Sequence, residues 1–181
     1  MAEPADEELR DFIAEAIKAG WPDNICRRRE NDFPGFFDSN YVKKSWRFID
    51  LWSGDSTDMG LQVVFHDEQP KWACTYRGGI ITPDFLTANP ISSNPTFTFL
   101  MTAIRQPADP TFPIRGPQTY EEDGGWEYTF RHSGAIASFL AIESISQHSE
   151  QVYERIFIGG RIGGLQLYGD TMQSLIRPLM E

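Results

Sequence analysis

The chain has 181 residues, with 16 Lys plus Arg against 26 Asp plus Glu, a net charge of −10 and 13% aromatic residues. One domain with a substantial core fits that length, and the composition excludes a disordered chain, a collagen and a coiled coil. The acidic balance excludes non-specific binding to DNA or RNA, and no apolar run approaches the roughly 18 residues that span a membrane.

Met1-Ala2-Glu3-Pro4 lacks the basic-then-apolar pattern of a signal peptide, which points to the cytoplasm. The first predicted helix has Asp6 as N-cap, Glu7 and Glu8 in the first turn, and an apolar stripe of Leu9, Phe12, Ile13, Ala16 and Ile17. Lys18 suits its last turn and Gly20 its end. Arg27-Arg28-Arg29 runs straight into Glu30 and Asp32 and reads as a solvated loop. Alternation then predicts a strand with Trp46, Phe48, Asp50 and Trp52 on one face and Arg47, Ile49 and Leu51 on the other. Gly54 to Asp58 is turn chemistry, Leu61 to His66 a second strand, Asp67-Glu68-Gln69-Pro70 a hairpin connection, and Lys71 to Arg77 a third strand ending at Gly78-Gly79.

Residues 82–95 carry three prolines and read as a linker. Ser93 or Asn94 caps a second helix, Pro95 takes its first position, Phe97, Leu100, Met101 and Ile104 form its stripe, and Pro107 stops it. Strands follow near 126–132, 139–147 and 151–158, with His148-Ser149-Glu150 as a turn and Gly159-Gly160 as a strand end. Asp170 to Met180 has the spacing of a short C-terminal helix, interrupted by Pro178.

Matches between the halves, kept in order, predict an internal repeat over 12–81 and 99–162. Phe12 to Lys18 reads like Phe99 to Arg105, Trp46-Arg47-Phe48 like Trp126-Glu127-Tyr128, and Trp72 to Gly79 like Tyr153 to Gly160. The expected fold is α+β over 1–181: two helix-plus-antiparallel-meander units merged into one domain with approximate two-fold symmetry.

Aligning the halves places Trp46, Phe48, Asp50 and Trp52 with Trp126, Tyr128, Phe130 and His132, and Trp72, Cys74 and Tyr76 with Tyr153, Arg155 and Phe157. An aromatic face with a few convergent polar groups is the general form of a small-molecule site, and equally that of a sealed core. Asp50 or Glu143, desolvated among rings, could act as general acid or base, with His132 sharing the work near neutral pH. Arg115 or Arg155 could clamp a carboxylate, and Trp52, Trp72, Tyr76, Trp126 and Tyr128 could wall a ligand. Cys26 and Cys74 have no Cys-x-x-Cys spacing and read as reduced structural thiols. No phosphate loop, nucleophile elbow or zinc pattern is present, so neither a cofactor nor a metal is expected.

Phe12 to Lys18, Trp46 to Asp50, Trp72 to Gly78, Pro113 to Pro117 and Tyr153 to Gly160 together give the chain a family likeness. It resembles an uncharacterised bacterial family of domains of unknown function, found alone or appended to helix-turn-helix regulators. That resemblance implies ligand sensing and carries no established activity. It also implies an acid where this chain has Gln62, with Glu143 keeping the acid only in the second half.

Three functions follow as expectations. The first is a small-molecule-binding domain with an aromatic-lined cleft. The second is a cofactor-independent acid/base enzyme (hydrolase, isomerase or lyase) using Asp50 or Glu143 with His132. The third is an acidic immunity-type protein that binds a basic partner. Exposed meander edges could also pair two copies into a homodimer.

Overall fold

A computed structural model describes residues 4–20, 29–30, 32–82, 94–162 and 178–179. Helix α1 spans Asp6–Ala19 and α2 spans Pro95–Arg105. The strands are β1 (Arg29–Glu30), β2 (Phe36–Lys43), β3 (Trp46–Gly54), β4 (Thr57–His66), β5 (Gln69–Ile80), β6 (Thr119–Glu122), β7 (Trp126–Ala135), β8 (Ser138–Gln147) and β9 (Glu150–Arg161). They form one antiparallel sheet in the order β1-β2-β3-β4-β5-β9-β8-β7-β6.

This corrects the expected fold class. The described residues form mostly one continuous antiparallel sheet with helices α1 and α2, not a pair of helix-plus-three-strand units arranged as an α+β domain about a two-fold axis. Two misreadings account for the difference. The Gly-Gly pairs do not end strands: β5 runs on through Gly78-Gly79 to Ile80, and β9 through Gly159-Gly160 to Arg161. They sit where the two long strands pair, Gly78 against Arg155 and Gly160 against Ala73. Gly78 has φ +153°, and a Cβ there would collide with the Glu154 carbonyl oxygen, so glycine lets the central strands approach. The second is β2, for which the sequence predicts no strand, yet it pairs with β3 along its whole length, from Phe36↔Ser53 to Lys43↔Trp46.

Several local expectations hold. Asn94 caps α2, its side chain accepting from Thr96 N at 2.9 Å, with Pro95 at the first helical position. The hairpin turns at Asp67-Glu68 (φ 50° and 59°) and His148-Ser149 (φ 50° and 67°) put both central residues in the left-handed region, as tight antiparallel connections require. Asp6 does not cap α1; it is the first helical residue, and its carboxylate accepts from Arg161 Nε at 2.9 Å and Nη2 at 2.6 Å. The predicted segment Asp170–Met180 and Cys26 lie outside the described residues, apart from residues 178 and 179.

Period-two alternation gives the sheet two unlike faces. Both helices pack on one of them, α1 through Leu9, Phe12, Ile13 and Ala16, and α2 through Phe97, Leu100, Ala103 and Ile104. Beneath them lie Phe48, Val64, Trp72, Tyr128, Phe130, Phe139, Tyr153 and Phe157 in one core. Phe12 stacks on Trp46 at 5.2 Å, and Phe99 meets Trp126 at 5.3 Å. Among the described residues no helix is long and apolar enough to cross a membrane.

Candidate functional site

The covered face carries a line of ionised groups built on strand register. Asp58, Gly78, Arg155, Glu143 and Phe130 are neighbours across β4, β5, β9, β8 and β7. With no side chain at Gly78, Arg155 reaches over it, and its Nη2 donates to Asp58 Oδ1 at 2.5 Å. One row along, Gly60 leaves the same kind of space. The Tyr76 ring lies over it, and the phenol donates to Asp50 Oδ1 at 3.0 Å. Gln62, level with Asp50 on β4, lies 3.5 Å from its other oxygen.

Glu143 is completely buried and accepts four hydrogen bonds. Arg115, from the segment after α2, grips it in a fork at 2.8 Å and 2.8 Å, and Tyr128 and Tyr153 each donate at 3.0 Å. A carboxylate has about four lone-pair sites, so this one is saturated. Burial pushes the Glu143 carboxyl up, but the Arg115 guanidinium and its hydrogen bonds outweigh burial and hold it below the usual carboxylate range. Burial likewise pushes the Tyr76, Tyr128 and Tyr153 phenols well up, so each remains a donor. Arg155 lies over the rings of Tyr76 at 5.1 Å and Tyr153 at 5.5 Å. Its Nε is buried with no hydrogen-bond partner.

Asp50 differs from Glu143. It retains part of its surface, yet enough protein surrounds it that burial pushes its carboxyl up to about 6, against the pull of Tyr76, Gln62, Arg155 and Arg115. Burial also raises Asp58, despite its Arg155 partner.

Of the candidate acids and bases, Asp50 and Glu143 belong to one network without touching each other, and His132 stands apart from both. Asp50 lies on β3 and Glu143 on β8, linked through Tyr76, Arg155 and Tyr153, while His132 lies on β7, five strand steps from Asp50 in the sheet order. His132 stacks flat on Phe112, centroids 4.0 Å apart at 9°. Among the candidate ligand walls, Trp72 is fully buried, stacks on Phe139 at 5.9 Å and donates to the Ile136 carbonyl at 2.9 Å. Tyr128 and Tyr76 are buried in the same core, and Trp126 packs against its edge. Trp52, beside Phe37 at 6.1 Å, is partly buried like Trp126. Cys74 is buried too, and burial pushes its thiol up. Thus Asp50, Tyr76, Arg115, Tyr128, Glu143 and Arg155 do share one network, and all but Asp50 are buried.

The face opposite the helices, the open face, bears exposed aliphatic side chains. A concavity of about 620 Å³ runs over β3, β4, β5 and β9, lined chiefly by Leu51, Met59, Leu61, Arg77, Ile156 and Ile158. Leu51, Leu61, Thr75 and Ile158 form one cross-strand row, and Ser53, Met59, Arg77 and Ile156 the next. Met59 is 50% exposed, Ile156 45% and Leu61 37%. Among the described residues neither helix packs on this surface; both lie opposite. Sequence reasoning missed these residues, although the signal was present. On β9, Tyr153 and Phe157 alternate with Ile156 and Ile158, so both faces of one strand are apolar. Such a strand is either buried twice or bears an exposed patch.

A family model described as a domain of unknown function (DUF5680) matches residues 50–162. The chain belongs to this family. The DUF5680 match begins at Asp50 and takes in the concavity's lining on β4, β5 and β9, as well as Arg115, Glu143 and Arg155. Neither curated proteins nor solved structures include a significant match to the chain. Among the described residues no group of three or more His, Cys, Asp or Glu is arranged to hold a metal ion.

Proposed function

We propose that this chain is a small-molecule-binding domain of the ligand-sensing type, acting in the cytoplasm, whose ligand lies in the concavity of the open face. The observation that carries this reading is the contrast between the faces. The aromatic side is filled by its own helices, whereas the aliphatic side leaves a hollow of about 620 Å³ with large apolar side chains in contact with water. Small-molecule sites typically measure about 300–1,000 Å³ and are walled by apolar groups with a few polar ones. Exposed aliphatics on adjoining strands cost solubility, so a surface that keeps them has a use for them.

A thermal-shift screen of small apolar and amphipathic compounds tests the reading. A ligand present at about 100 times its dissociation constant adds roughly 2.7 kcal/mol to stability. Leu61→Asp and Ile158→Asp, both at exposed positions, should abolish the response while leaving the circular dichroism spectrum unchanged. A broad library without a stabiliser, or stabilisers indifferent to both substitutions, would remove the basis for it.

A further inference from the structure

We infer that the ligand of the open face is an amphipathic carboxylate, its apolar body lying across β3, β4, β5 and β9 and its head group held by Arg77. The inference rests on reading the concavity as a ligand site and adds the ligand's chemistry. Three strand spacings, about 14 Å, separate β3 from β9. That distance accommodates an extended aliphatic chain lying on Leu51, Leu61 and Ile158.

Arg77 is the cation of the lining, and it stands in the same cross-strand row as Met59 and Ile156. Its side chain is exposed, and among the described residues it forms no hydrogen bond or ion pair. The acid of the lining, Glu154, takes a hydrogen bond from Gln151 at 2.9 Å and makes no ion pair with Arg77. Most other arginines of the sheet are engaged: Arg47 with Glu68, Arg155 with Asp58, and Arg161 with Asp6. In a chain of net charge −10, a guanidinium left unpaired at the edge of an apolar hollow is matched by a planar anion. A wholly apolar ligand would leave Arg77 unused, and a cationic one would meet its charge.

Calorimetric titration of the full chain with octanoate, 1-octanol and octyltrimethylammonium separates these cases. Octanoate should bind about tenfold more tightly than 1-octanol, with the ammonium weakest. Arg77→Gln, at an exposed position, should bring octanoate down to the level of 1-octanol and leave 1-octanol unchanged. Equal binding of octanoate and 1-octanol, or octanoate binding indifferent to Arg77→Gln, overturns the carboxylate while the ligand site stands. Failure of all three probes to bind overturns both. So does sedimentation of the free chain as a dimer that Leu61→Asp dissociates, because that assigns the face to a second copy.

Discussion

The two faces of the sheet invert the usual distribution of charge and oil. The covered face buries Glu143, Arg115 and Arg155 among rings, while the open face leaves Met59, Leu61, Ile156 and Ile158 in water. The buried charges are tolerated because each has a partner: Arg115, from the segment after α2, grips Glu143, and Arg155 reaches Asp58 over a glycine. The exposed aliphatics have no such internal compensation. A buried polar network therefore identifies the part of this fold committed to architecture. Uncompensated apolar surface identifies the part available for binding.

The largest expected effect probes the first half of that contrast. Arg115→Ala should cost about 3–5 kcal/mol in denaturant unfolding, since it strands a buried carboxylate. The double variant Arg115→Met with Glu143→Leu should recover most of that loss. If Arg115→Ala costs less than about 1 kcal/mol, Glu143 is not held as described.

Asp50 comes next, as the member of the network least well compensated. Its folded-state pKa, about 6, lies above the ordinary 3.8, so the native state binds its proton more tightly than the unfolded chain. The resulting stability is present below about pH 4 and is lost as pH rises through 6. Asp50→Asn should therefore stabilise the protein by on the order of 2 kcal/mol at pH 8 and by little at pH 4, measured as unfolding free energy across that range. An advantage that grew toward acid would reverse the assignment.

A pair of truncations on β4 compares the faces directly. Val64→Ala, on the sealed side, should cost about 2 kcal/mol, whereas Leu61→Ala, which removes more carbon but on the open side, should cost less than about 1 kcal/mol. Equal costs would mean that Leu61 is covered in solution. The smallest expected effect is Arg47→Gln, which breaks the surface pair with Glu68 at 2.9 Å and should change stability by no more than about 0.5 kcal/mol.

Much of this was legible from local patterns. Asn94-Pro95 marks a helix start because the Asn carbonyl oxygen and the missing proline N–H answer the same problem of unpaired amides. Trp46 to Trp52 and Trp126 to His132 read as strands because ring-bearing residues recur at nearly every second position. The convergence of Asp50, Tyr76, Arg115, Glu143 and Arg155 was legible as a set of polar groups on aromatic strands. That all of it but Asp50 is buried was not, because neither the placement of α2 nor that of the Arg115 segment is written in the strands. Gly78-Gly79 and Gly159-Gly160 misled for a physical reason: glycine ends strands in turns and also permits close approach between paired strands, and only the partner distinguishes the two.

Composition and periodicity by themselves determined that this chain forms strands and amphipathic helices, α1 and α2 among them, with acidic groups in excess and rings to bury. Both faces of β4 and β9 carry apolar side chains, and sequence is silent on which one the helices take. Long-range pairing of β5 with β9 and the docking of α1 and α2 decided that, because burial is a property of the partner as much as of the residue.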